Sequence, residues 1–305
     1  MPAHPKAILV TLLIASGSHP LPLGASETTN VASLIARIPL EFHAGAAFVR
    51  ARVNDSQTLT FKLDTGFGVT TIHPEWVESL GLKRVGTLTI SGIAGKEKAD
   101  WLSGAAFDFG GAAYAPRRIA MIPSDARRPR HGQDGILGAG FFRRFVVELD
   151  PEQRTMTLHD PGRFRPAGPG EVLPIQFRRD TPIVEATIHL PGREPVPGRF
   201  ELDTGCDGAL CLGHDFVAKN RFEALPGRNH PGSRTGVGGS VQAQEARLPQ
   251  FQIGAQTLAE VPANLFKEGS PVDGDLAGHI GLGLLRRFKI RLDYSRRELT
   301  LERLN

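Results

Sequence analysis

Hydrophobic positions along the chain fall in short runs in which Val, Ile, Leu and Phe alternate with polar residues, and glycine or proline breaks each run. Phe48 to Val53, Leu59 to Leu63 and Val184 to Ile188 all read this way. A period of two over such lengths, bounded by turn residues, predicts strands packed on a core by one face. Helical signals are few. Pro74 to Gly81 carries proline at a helix start and glycine at its end, and Asp215 to Ala218 holds the corresponding place further on. A stretch rich in residues that stop regular structure, 161–170, separates two such successions. The pattern predicts a mostly β protein in two lobes, 34–160 and 171–305, each with a helix or two.

The two lobes repeat one another. Phe61-Lys62-Leu63-Asp64-Thr65-Gly66 is said again as Phe200-Glu201-Leu202-Asp203-Thr204-Gly205. A later segment, Asp134 to Phe145, is echoed by Gly278 to Phe288, and both copies run on into a strand ending in Leu-Asp. Ile38 to Phe42 and Leu173 to Phe177 open the two units. Asp64 and Asp203 are 139 positions apart, Gly138 and Gly281 143, and the glycine segments beginning at Gly92 and Gly236 144. So small a drift marks loop-length changes within one duplicated unit.

An apolar strand that delivers a carboxylate to a Thr-Gly turn, later answered by an apolar-apolar-Gly segment, resembles the aspartic proteases of the pepsin and retropepsin type. The resemblance covers nearly the whole chain after its first residues. It implies a bilobal acid-protease fold in which Asp64 and Asp203 face one another about a pseudo-twofold axis and share one water. Thr65 and Thr204 would hydrogen-bond across to the opposite loop, and Gly66 and Gly205 would let the backbones approach closely. Ile136, Leu137, Gly138, Ile280 and Gly281 would support the loops from beneath. Flap candidates are the glycine-rich tips Gly92, Ile93 and Gly95 in the first lobe and Gly236, Val237 and Gly238 in the second; neither carries the tyrosine of a pepsin flap. Plain hairpin turns are the alternative for both.

Composition bounds this picture. With 305 residues, 40% hydrophobic and 22% charged, the chain is of soluble globular type. Met1 to Lys6 followed by the apolar run Ala7 to Ser16 reads as a secretory signal peptide within 1–25, cleaved after Gly17 or Ala25. No later apolar stretch approaches membrane length, so an exported, periplasmic or secreted protein is expected. The net charge of +4 comes mainly from arginines scattered in loops, such as Arg127, Arg128 and Arg130, and acidic residues nearly balance it. Nucleic acid is therefore not an expected partner. One chain that supplies both carboxylates needs no second subunit, so a monomer acting on peptides or proteins is expected.

The remaining chemistry is sparse. Cys206 and Cys211 would lie on opposite faces of an extended strand, too far apart to bridge; a turn at Asp207-Gly208 is needed for a disulfide, and two free, mostly buried thiols are the expectation. No paired His or Cys complements them as zinc ligands, so neither metal nor cofactor is expected. Cys206 likewise has no histidine partner visible in the sequence, and Gly-x-Ser-x-Gly and His-Glu-x-x-His are both missing. His279 stands where the pattern wants an apolar residue and reads as structural. Phe67 and Cys206 occupy the positions after each Asp-Thr-Gly where pepsin-like members carry a hydroxyl. Losing that hydrogen bond should leave the carboxylates less acidic, with an optimum near pH 5 to 6. The alternative to an endopeptidase is a secreted peptide-binding module that kept the cleft and lost turnover.

Overall fold

The computed structural model describes residues 32–92, 95–122, 132–224, 231–236, 239–268, 272 and 274–304. The predicted leader, the Arg127 to Arg130 run, Ile93, Val237 and Gly238 lie outside the described residues. Among the described residues three sheets account for the strands: ten in the first half of the chain, eight in the second, and six shared between them.

The alternation read from sequence becomes burial. In the strand Ala46–Val53 the residues Val49, Ala51 and Val53 point into the core while Arg50 and Arg52 stay exposed. In Thr58–Leu63, Leu59, Phe61 and Leu63 are buried. The period of two then puts Lys62 and Asp64 together on the other face. Val196–Asp203 repeats the arrangement, with Phe200 and Leu202 inward and Glu201 on the face of Asp203.

Each aspartate strand is flanked in the same way. Thr58–Leu63 pairs in parallel with Gly135–Leu137, which pairs antiparallel with Thr71–Ile72, itself parallel to Ile119–Met121. Val196–Asp203 pairs in parallel with Gly278–Gly281, which pairs antiparallel with Leu210–Leu212, itself parallel to Gln256–Phe266. Each supporting strand feeds a short helix, Ala139–Arg144 or Leu282–Leu285. Side chains are barred at the crossings: a Cβ on Gly138 would lie 2.3 Å from the Val69 carbonyl oxygen, and one on Gly281 2.2 Å from that of Gly208.

The six-stranded sheet joins the halves. From the seam outward, the first half contributes Val146–Asp150, Thr155–His159 and Leu34–Pro39, and the second contributes Phe288–Asp293, Glu298–Arg303 and Glu171–Pro174, the same three strands in the same order. Val147, Glu148 and Leu149 register with Leu292, Arg291 and Ile290 across the seam. One continuous core cluster contains buried residues of both halves.

The helical segments differ from expectation in the first half. Pro74–Trp76 is a single 3-10 turn, and the chain then closes through turns to Gly81, whose φ of +63° ends it. The Trp76 indole donates to Asp134, which pins the segment to the supporting strand's start. His214–Lys219 in the second half is an α-helix. No helix among the described residues is long and apolar enough to cross a membrane.

Candidate active site

The two Asp-Thr-Gly loops meet at the junction of the halves. Thr65 and Thr204 are fully buried and bonded reciprocally: each backbone N–H donates to the other's Oγ1 at 3.0 Å. The Thr65 hydroxyl donates to the Leu202 carbonyl at 2.6 Å, and that of Thr204 to the Leu63 carbonyl at 3.1 Å. Four bonds of this kind fix one loop to the other. Gly66 and Gly205 are the points of closest approach. A Cβ on Gly205 would lie 2.0 Å from Asp64 Oδ2, and one on Gly66 2.7 Å from Asp203 Oδ1. The carboxylates of Asp64 and Asp203 are nearly buried, each against the other loop's glycine.

Both aspartates have a cationic partner. Lys62 Nζ stands 3.4 Å from Asp64 Oδ2. His279 Nδ1 stands 3.0 Å from Asp203 Oδ2, and its Nε2 is 3.1 Å from Glu201 Oε2. The histidine read as structural in the sequence therefore touches one of the two carboxylates. Its position is set by register, because Glu201 pairs with His279 and Lys62, the equivalent of Glu201, pairs with Ile136.

These neighbours make the two acids unequal. Burial raises Asp64 to about 6; Lys62 pulls the other way, and the charge and hydrogen bond of Asp203 add to the rise. Burial works to raise Asp203 too, but the charge and hydrogen bond of His279, then Lys62 and the Gly205 N–H, outweigh it and hold the acid down at about 2. Burial alone would lower His279, yet Asp203, Cys206 and Glu201 keep it well above the ordinary imidazole value. Lys62 is held up against its burial by Asp64 and Asp203. Asp64 is thus less acidic than an ordinary carboxylate, through burial and not through a missing hydroxyl, whereas Asp203 is more acidic, contrary to the expectation, because His279 stabilises its ionised form.

The residues after each triplet face their lobe's long hairpin. Phe67 packs with Val69, Leu88, Trp101 and Ile122 around Ile90, Ala99 and Ala120, an apolar wall between the Asp64 loop and the hairpin Lys83–Gly92 and Gly95–Ser103. Cys206 packs with Cys211, Val241, Ala243 and Phe266 beside the hairpin Pro231–Gly236 and Gly239–Ile253. Gly92 pairs with Gly95 and Gly236 with Gly239, so the flap candidates are the last described pairs of two long hairpins.

The cysteine loop is not extended. A bend at Gly208 and Ala209 brings the Sγ atoms to 3.5 Å, with both thiols free. The hydrogen bond to Cys211, and then burial, raise Cys206 well above its ordinary value, so it is a neutral thiol and not a ready nucleophile. It does have a histidine partner, contrary to the sequence reading: His279 lies beside it, 73 positions away, and Asp203, Cys206 and His279 place one donor atom each within 4.8 Å of one another.

Comparison with known proteins agrees with this architecture. Residues 49–141, which include the first Asp-Thr-Gly and its Gly138 support, match the aspartyl protease family model. No curated protein matches the chain. Among solved structures, the aspartic proteinase from Irpex lacteus is similar over 88% of this chain and 97% of its own, with a TM-score of 0.59 at 14% sequence identity. The chain has the bilobal aspartic-protease fold.

Proposed function

We propose that the chain is an aspartic-type endopeptidase in which Asp64 and Asp203 activate one water for attack on a peptide bond. The observation that carries this reading is the pair of Asp-Thr-Gly loops locked by four reciprocal threonine bonds, with each carboxylate seated on the other loop's glycine.

Two carboxylates this close share one proton over the working pH range. The unequal environments assign it: His279 keeps Asp203 ionised, and burial keeps the proton on Asp64. Asp203 then takes a proton from the water as it attacks. Asp64 donates a hydrogen bond to the substrate carbonyl and stabilises the developing oxyanion. The pair titrates as a unit, so these roles describe its dominant form. The apolar wall of Phe67, Val69, Leu88 and Trp101 beside Asp64 favours a peptide with an apolar side chain next to the scissile bond. The mature chain acts alone and outside the cytoplasm, as the leader and the duplicated unit suggest.

The test is cleavage of a diverse peptide library by the mature chain from pH 3 to 8, beside Asp64→Asn and Asp203→Asn. The parent should cut next to apolar residues, and each variant should lose at least about a thousandfold in kcat while keeping its circular dichroism. A folded parent that cuts nothing, or a variant that cuts as fast as the parent, defeats the reading and leaves a peptide-binding module in its place.

A further inference from the structure

Beside Asp203 and its partner His279 the second lobe carries a thiol, Cys206, that the shared-water mechanism does not use. Asp203 Oδ2, Cys206 Sγ and a ring nitrogen of His279 converge from a strand end, the loop after it and the supporting strand, all within 4.8 Å of one another. We propose that these three side chains form a binding site for a thiophilic divalent cation of the zinc class, which inhibits the enzyme when bound.

The geometry suits such an ion. Zinc bonds of about 2.0–2.2 Å to nitrogen and oxygen, meeting near the tetrahedral angle, hold the two donors about 3.3 Å apart. His279 Nδ1 and Asp203 Oδ2 are 3.0 Å apart. The imidazole is also oriented as a metal-binding imidazole is, because its far nitrogen is held by a carboxylate, Glu201 Oε2 at 3.1 Å. Strand register builds that partnership, since Glu201 and His279 are direct neighbours in the parallel pair. Asp203 keeps a separate anchor, its Oδ1 accepting the Gly205 N–H at 2.9 Å, so engagement of Oδ2 leaves the loop in place. A sulfur donor selects zinc, cadmium or cobalt over magnesium and calcium. On binding, the Cys206 thiol and the His279 Nδ1–H give their protons to solvent, and the ion takes the electron pairs they leave.

The duplication provides an internal contrast. The corresponding residues of the first lobe are Asp64, Phe67 and Ile136, with Lys62 in place of Glu201. Neither Phe67 nor Ile136 offers a donor, and the Lys62 ammonium repels a cation. The set is therefore peculiar to the second lobe.

Binding itself does not depend on the protein being a protease; the inhibitory consequence rests on that reading, because the ion would occupy an oxygen of Asp203 that the dyad needs. The experiment separates the two. The reduced, chelator-treated protein is titrated with Co²⁺ alone and followed by its absorption spectrum, then challenged with Zn²⁺. We expect saturation at one equivalent, the intense visible bands of a four-coordinate ion, a sulfur-to-cobalt band, and displacement by Zn²⁺. Cys206→Ser should abolish the sulfur band and Cys211→Ser should keep it. Glu201→Gln, which leaves all three donors in place, should weaken binding by about 10- to 100-fold. No saturable binding, or a sulfur band that survives in a folded Cys206→Ser protein, overturns the site. In the peptide assay Zn²⁺ should suppress hydrolysis and a chelator restore it; saturation with undiminished hydrolysis overturns the inhibitory role. If the metal-free parent cuts no peptide, the protease reading fails, while the cobalt titration still decides the site.

Discussion

The two aspartates come from identical triplets and differ only in what stands beside them. Lys62 reaches Asp64 from the same strand, whereas His279 reaches Asp203 from the supporting strand. With Asp203 at about 2 and Asp64 at about 6, the singly protonated pair exists between those limits, and activity should fall on either side. The optimum then lies lower than the missing hydroxyls alone suggest. Removing the cation beside a carboxylate raises its pKa. His279→Gln should therefore move the acid limb of kcat/KM upward by roughly one pH unit, narrowing the profile from below. Lys62→Met should move the alkaline limb upward by a similar amount, extending activity towards neutral pH. Rates measured in overlapping buffers check both. A lower kcat with unmoved limbs would mean that the two cations serve structure only.

What holds the acids in place is a matter of strands and loops, and here sequence and structure diverge instructively. The Asp-Thr-Gly loops, their glycines and the later supports were legible because a duplicated local pattern carries them. The cationic partners were not read. For Lys62 a signal existed: in a strand of period two it shares a face with Asp64, and Glu201 shares one with Asp203. For His279 none did, because its approach to Asp203 and Cys206 depends on parallel register between strands 78 positions apart. The two free thiols agree with expectation, while the spacing alone left open whether the loop after Cys206 is extended or turned, and it bends. The threonine lock is the element whose removal is most informative. Thr204→Val strands the Thr65 N–H and the Leu63 carbonyl in a fully buried site, which should cost roughly 2–4 kcal/mol. The slackened loops should also lower kcat about a hundredfold. Thr204→Ser, which keeps the hydroxyl, should recover most of both. Urea unfolding and steady-state kinetics on the two variants decide it; equal behaviour of valine and serine would remove the hydroxyl from the account.

The dyad is assembled from two halves, so its precision depends on how firmly they are joined. Three features tie them: the threonine bonds, the continuous core, and the seam of the six-stranded sheet. At the seam Val147 and Leu149 register with Leu292 and Ile290, all buried, and Lys289 and Arg291 reach Glu148 across it at 3.1 and 3.7 Å. Separating the halves would expose an edge strand and an apolar face on each, at about 25 cal/mol for every square ångström of apolar surface uncovered. Unfolding should then be a single cooperative event despite the length and the duplication, with calorimetric and van't Hoff enthalpies in agreement. Leu149→Asp, which buries a charge at the seam, should lower the one transition as a whole and not resolve it into two. Two transitions in the parent would mean that the lobes fold as separate units and that the active site is held by the threonine bonds alone.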